Sequence, residues 1–134
     1  MSEKYILLVE DDPTQAKVWK KIINKILYDV ATLSRGSEVL RFLSGKKKLK
    51  GFPKEKLGLI LLDLSLNKVS GFDILKTVQD SKEDIPIIVF SASEDPIAIL
   101  ESGRLGAKNY IVKWKKGEVE RMFFAIDEFM KQYL

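Results

Sequence analysis

The chain contains no cysteine and no histidine. Without cysteine there are no disulfides, no thiolate nucleophile and no iron–sulfur cluster. Without histidine there is no Ser-His-Asp triad and no His-liganded zinc site, and the chain cannot carry a phosphoryl group on a histidine of its own. No run of 18 apolar residues is present, so no helical membrane span is expected. The start, MSEKYILLVEDDP, does not read as a secretory signal, because its apolar run is short and acids follow at once. These absences predict a cytoplasmic protein whose ionic chemistry uses carboxylates, Lys, Arg, Tyr and hydroxyls.

What is present is an ordinary globular balance: 134 residues, 46% hydrophobic and 31% charged, enough for one self-sufficient domain. The net charge of +4 raises the question of a nucleic-acid partner. Much of that excess sits in one segment, GKKKLKGFPKEK (Gly45 to Lys56), which reads as a solvated loop. No direct DNA binding is therefore expected.

Short apolar runs alternate with amphipathic stretches, predicting five strand–helix pairs. The strands are Tyr5 to Val9, Asp29 to Leu33, Leu57 to Leu62, Pro86 to Phe90 and Asn109 to Val112. A first helix starts near Pro13, a residue suited to an opening helical turn, with Trp19, Ile22, Ile23, Ile26 and Leu27 as its buried stripe. A second runs from Ser37 to Leu43. Gly71 opens a third, with Phe72, Leu75 and Val78 inward. A fourth covers Pro96 to Ser102. A fifth runs from Glu118 to Tyr133, with a stripe at Val119, Met122, Ile126, Phe129 and Tyr133. The run LGLILL is apolar on both faces, as in a parallel strand covered on both sides. The alternation predicts an α/β fold with an open parallel sheet and helices on both faces. Sites in such sheets lie at the carboxyl ends of the strands.

The residues just after the strands form a pattern. Glu10, Asp11 and Asp12 follow the first strand, Asp63 the third, Ser91 and Ala92 the fourth, and Lys113 the fifth. Carboxylates gathered in one crevice repel one another unless a cation neutralises them. Hard oxygen ligands favour Mg²⁺ or Mn²⁺, and Mg²⁺ leaves coordination positions for phosphate oxygens. A carboxylate such as Asp63 can act as a nucleophile and form an acyl phosphate, with the metal and Lys113 neutralising charge. Ser91 could then hydrogen-bond a phosphoryl oxygen. Each residue also has a blander reading. Asp12 in particular suits a helix cap, Ser91 a turn hydroxyl, and Tyr110 core packing.

In order and register, YILLVEDDP, LILLDLSLNKVSGFDIL, IPIIVFSAS and GAKNYIVK resemble the receiver domains of two-component response regulators, over essentially the whole chain. The resemblance implies a flavodoxin-like (βα)5 doubly wound fold with strand order 2-1-3-4-5, spanning residues 1–134 with no output domain. It implies that Asp63 is the phospho-acceptor and that Lys113 and Ser91 assist the transfer. Ser91 and Tyr110 would form the switch. Glu10, Asp11, Asp63 and the Ser65 backbone carbonyl would hold Mg²⁺, with Mn²⁺ as the alternative. The implied role is a phospho-acceptor switch rather than a turnover enzyme, with slow self-dephosphorylation. The implied partners are a sensor histidine kinase or histidine phosphotransfer protein and a downstream effector. Dimerisation would use the face formed by helix four, strand five and helix five.

Other functions fit less well. Asp-nucleophile phosphatases of the haloacid-dehalogenase type place a second Asp two residues after the first, where this chain has Ser65. No phosphate-binding glycine loop of either common type is present. A phosphate-independent interaction module is the third reading. The chain also departs from the family pattern. Trp114 stands where a proline in a cis peptide is usual, and a cis bond there would cost about 2.5–4 kcal/mol. Either a trans bond with a reshaped loop or a strained cis bond is expected. Asn67 replaces a common proline, and the Lys-rich loop is long.

Overall fold

The computed structural model describes residues 4–65, 70–81 and 83–133. Asn67 lies outside the described residues. Five strands, β1 (Tyr5–Val9), β2 (Val30–Leu33), β3 (Leu57–Leu62), β4 (Ile87–Ser91) and β5 (Asn109–Val112), form one parallel sheet in the order β2-β1-β3-β4-β5. The helices are α1 (Pro13–Asn24), α2 (Gly36–Leu43), α3 (Gly71–Ser81), α4 (Pro96–Arg104) and α5 (Glu118–Met130). This is the flavodoxin-like doubly wound fold expected from the sequence. No helix among the described residues is long and apolar enough to cross a membrane.

Alternation along the strands divides the core. Leu7, Val9, Ile60, Leu62, Ile87 and Val89 pack against Val39 and Phe42 of α2 and Ile74, Leu75 and Val78 of α3. Ile6, Leu8, Leu59, Leu61, Ile88 and Phe90 pack against Trp19 and Ile23 of α1 and Met122, Ile126 and Met130 of α5. Because successive side chains of a strand point to opposite faces, a fully apolar run such as LGLILL feeds both layers at once.

One local expectation needs correction. Leu27 is not in the buried stripe of α1: the helix ends before it, its φ is +68°, and its side chain is 92% exposed. The last turn of the stripe gives way to a left-handed residue that reverses the chain toward β2. The Lys-rich segment is the exposed loop expected, with Lys46, Lys48 and Lys50 in solvent, and two apolar residues anchor it. Leu49 and Phe52 form an isolated bridge, and both pack on the core cluster beneath α2 and α3. The Phe52 ring meets Tyr5 edge-on at 4.9 Å, and its carbonyl accepts the Tyr5 hydroxyl at 3.2 Å. Within the segment Lys47 pairs with Glu38 at 2.8 Å and Lys54 with Glu83 at 2.5 Å.

Candidate phosphoryl-acceptor site

Five polar side chains among the described residues are buried, and four of them, Glu10, Asp63, Ser91 and Lys113, lie at the carboxyl ends of strands. The sheet itself places them. The Glu10 amide donates to the Leu33 carbonyl at 3.1 Å, the Asp63 amide to Val9 at 3.1 Å, and the Lys113 amide to Ser91 at 2.8 Å. Glu10, Asp63 and Lys113 therefore each continue the ladder of the strand that carries them. Ser91 is itself the last residue of β4, one position beyond the predicted strand end.

Lys113 is the centre of the crevice. Its Nζ lies 2.6 Å from Glu10 Oε1, 3.1 Å from Asp63 Oδ2 and 3.1 Å from Gln15 Oε1. It also stands 4.6 Å from the centroid of the Phe90 ring, within cation–π range. A buried ammonium needs such partners, because desolvating it without compensation is costly. Burial pushes the Glu10 carboxyl up to about 7, and Asp63 adds to the rise, while the Lys113 ammonium opposes it. The rise shows that a charged Glu10 is disfavoured there without a further cation.

Glu10, Asp11 and Asp63 each offer a carboxylate oxygen, all within 4.8 Å of one another. Three hard oxygen donors converging on one crevice suit a small divalent cation. The Asp12 carboxylate takes no part: its Oδ1 accepts the amides of Thr14 at 2.9 Å and Gln15 at 3.1 Å as the cap of α1, while its own amide donates to Glu10 Oε2 at 3.4 Å. Oδ1 of Asp63 accepts the Ser65 amide at 2.9 Å, which folds the loop back over the carboxylate.

Gly71 keeps that loop close. A Cβ there would lie 2.7 Å from the Leu64 Cα and 2.9 Å from the Asp63 carbonyl oxygen, so α3 can start here only with glycine. On the other side, Ser91 Oγ accepts the Ser93 amide at 3.2 Å, and the Tyr110 hydroxyl donates to the Ser93 carbonyl at 2.8 Å. The serine, the following loop and the buried Tyr110, which packs in the core as well, form one connected chain.

Of the two geometries expected after Lys113, the trans one is present: no peptide bond among the described residues is cis, and Trp114 has φ +64°. A non-glycine residue in the left-handed region costs about 1–2 kcal/mol. The Trp114 ring lies tilted on Trp19, with centroids 4.9 Å apart, and Trp19 meets Phe90 edge-on at 5.6 Å. Such aromatic pairs contribute about 0.5–1.5 kcal/mol each beyond burial, comparable to the backbone cost. Beyond the turn, Glu118 Oε1 accepts the Val112 amide at 3.0 Å. Arg121 clasps the Glu118 carboxylate through Nε at 2.6 Å and Nη2 at 3.0 Å, and also donates to the Tyr110 carbonyl. This clamp joins the end of β5 to the first turn of α5. Arg121 and the Val112 amide hold the Glu118 carboxyl down at about 2.

Gln15, Phe90, Glu118 and Arg121 carry no motif in the sequence. Gln15 and Phe90 sit on the helix and strand next to the crevice, and Glu118 and Arg121 show only as an i, i+3 pair of opposite charge, a common surface feature.

The geometry and the relatives agree. Residues 6–123 match the response regulator receiver domain family, and the chain belongs to that family. Among curated proteins it is 28% identical over 108 residues to the two-component response regulator ARR11 of Arabidopsis thaliana, covering 81% of this chain and 19% of ARR11. It spans 41% of the length of the probable transcriptional regulator ycf27 of Cyanidium caldarium and 61% of that of the two-component response regulator ARR7 of Arabidopsis thaliana. Among solved structures it resembles the signal receiver domain of the putative LuxO repressor protein from Vibrio parahaemolyticus, with TM-score 0.80, 22% identity and coverage of 97% and 92% of the two chains. It also resembles the Mn²⁺-bound form of the response regulator Rcp1, with TM-score 0.78, 24% identity and coverage of 98% and 96%.

Proposed function

We propose that this chain is a phosphorelay switch that takes a phosphoryl group onto Asp63. The observation that carries the reading is the position of Lys113 Nζ, which contacts both Glu10 and Asp63 in a crevice where three acids converge. The donor is a phosphohistidine on a sensor kinase or phosphotransfer protein. An Asp63 oxygen attacks phosphorus in line as the P–N bond breaks, and the histidine nitrogen leaves with the bonding pair and takes up a proton. Lys113, held at the Asp63 carboxylate, neutralises charge on the transferred group. Hydrolysis of the acyl phosphate later returns Asp63 to its carboxylate.

Glu10, Asp11, Asp63 and the Ser65 carbonyl would hold Mg²⁺, or Mn²⁺ in its place. When bound, the cation would offset the charge of the acids and of the incoming phosphoryl oxygens.

The switch follows from the connected chain at β4. Ser91 Oγ accepts from Ser93 and keeps its own proton to donate to a phosphoryl oxygen. Drawing Ser91 toward the phosphoryl group pulls the loop whose Ser93 carbonyl receives Tyr110. Two arrangements of this loop then differ in their contacts to the phosphoryl group, which is what a population shift requires. The readout surface is the adjacent α4, β5 and α5 face, where Ile97, Leu100 and Phe124 are exposed. It would receive an effector or a second copy of the chain.

The experiment is incubation with acetyl phosphate, with and without Mg²⁺, read by intact mass. The expected result is a metal-dependent gain of one phosphoryl group, absent in Asp63→Asn. A wild-type chain that stays unmodified with every divalent metal tried would sink the proposal.

A further inference from the structure

We propose that Trp114 is a positioning residue for Lys113, holding it through a stack on Trp19. This rests on the phosphoryl-transfer role of Lys113 argued above. Trp114 immediately follows Lys113 at the end of β5 and takes a φ of +64°, a conformation that L residues rarely adopt without a compensating contact. The contact present is with Trp19, at 4.9 Å between centroids and 34° between planes. The Trp19 ring, 1% exposed, also meets Phe90 in an edge-on contact, and Phe90 carries the Lys113 ammonium over its face. A ring contact series therefore runs from the backbone position after Lys113 back to the ammonium of Lys113 itself.

Two details favour positioning over incidental packing. Among the described residues the Trp19 Nε1 has no hydrogen-bond partner, so packing, including its two ring contacts, sets the orientation of that indole. Trp114 itself is 59% exposed, so its ring is spent on the one stack rather than on filling the core. The turn has other ties, among them Lys115 to Glu94 at 2.7 Å, the Glu118 amide to the Lys115 carbonyl at 3.1 Å and the Val112 amide to Glu118 at 3.0 Å, but none of them involves the Trp114 side chain. Loss of the stack leaves the left-handed residue without its compensation. The turn then samples other conformations, and Lys113 leaves its place between Glu10 and Asp63 for part of the time.

The test compares the full chain with Trp114→Gly and Trp114→Phe. Glycine keeps the positive φ accessible and removes the ring; phenylalanine keeps a ring for Trp19. Because the residue is exposed and outside both core clusters, both variants fold. The first measurement is the side-chain ¹⁵N signal of the Lys113 ammonium without metal or donor. The second is the rate of phosphorylation at saturating acetyl phosphate and Mg²⁺. In Trp114→Gly the ammonium signal, slow to exchange with water in the wild type, broadens. The maximal rate falls about tenfold or more, since small misplacements of a reacting group have effects of that size. The half-saturating donor concentration changes less than about twofold, because the loss is in the reacting geometry rather than in donor binding. Trp114→Phe recovers both signals in large part. A glycine variant with the wild-type ammonium signal and rate overturns the proposal, and so does a loss that phenylalanine leaves unrepaired. If the wild type itself takes no phosphoryl group, the proposed function falls, and the ammonium signal alone still decides whether Trp114 positions Lys113.

Discussion

The ammonium of Lys113 lies 2.6 Å from the carboxylate of Glu10, 103 residues away in the chain, and both side chains are at least 95% buried. Removing the lysine leaves Glu10 and Asp63 as buried carboxylates without their cation. Lys113→Met keeps the length of the side chain and is expected to lose about 3–5 kcal/mol of stability at neutral pH. Urea denaturation measures it. Saturating Mg²⁺ should return part of the loss, because a ligand that binds only the folded chain stabilises it by mass action.

Asp11 is the member of the acid cluster that takes no part in the lysine's contacts. Asp11→Asn is therefore expected to leave the metal-free fold nearly unchanged. It should weaken Mg²⁺ binding at least tenfold, since loss of even an outer-shell partner has effects of about 10–100-fold. Quenching of the intrinsic tryptophan fluorescence during a Mg²⁺ titration reads it, and equal affinity for the two proteins would remove Asp11 from the proposed ligand set.

At Gly71 the expectation is steric. The methyl group of Gly71→Ala would press on Leu64 and on the Asp63 carbonyl, so α3 or the acceptor loop must shift. A loss of about 1–3 kcal/mol is expected from overpacking, together with slower phosphorylation by acetyl phosphate. Gly103→Ala, whose methyl group would meet nothing within 4 Å, is the matched control.

Glu118 supplies a pH dependence. Its carboxyl is held at about 2 in the folded chain against an ordinary 4.5. A depressed carboxyl contributes stability that is present above pH 4.5 and is lost as the pH falls from there toward 2. Glu118→Gln should be less stable than the wild type at pH 7, and the difference should shrink on acidification through that window. Thermal melts at pH 7, 4 and 2.5 measure it; a constant difference would show that the clamp on Val112 and Arg121 does not depend on charge.

Leu27 offers a stabilising change. It is a left-handed leucine with no burial to offset the strain. Leu27→Gly is expected to raise stability by about 0.5–1 kcal/mol, the strain relief exceeding the added chain entropy of glycine. A midpoint of urea denaturation at or below that of the wild type would contradict it.

Leu27 also shows where periodicity fails. Trp19 and Ile23 continue the helical spacing and are buried, but spacing alone does not say where hydrogen bonding stops, and α1 stops first. Phe72 and Val119, placed inward by the same spacing, are only partly buried, because the rim of each layer is open to solvent. The strand ends were legible because apolar runs stop abruptly at acids, a serine or a lysine. Glu10, Asp11, Asp63, Ser91 and Lys113 could therefore be placed at one sheet edge without coordinates.

Local chemistry thus determined the elements, their alternation and the side chains offered at the strand ends, since each depends on residues within a few positions of one another. Tertiary structure alone decided which of those groups touch. Gln15, Phe90 and Trp19 reach Lys113 and Trp114 from about 20 to 98 residues away, and Gly71 meets Asp63 only because α3 docks against β3. These contacts depend on sheet twist, helix docking and the space left between them. Those are properties of the packed whole, and no short stretch of sequence encodes them.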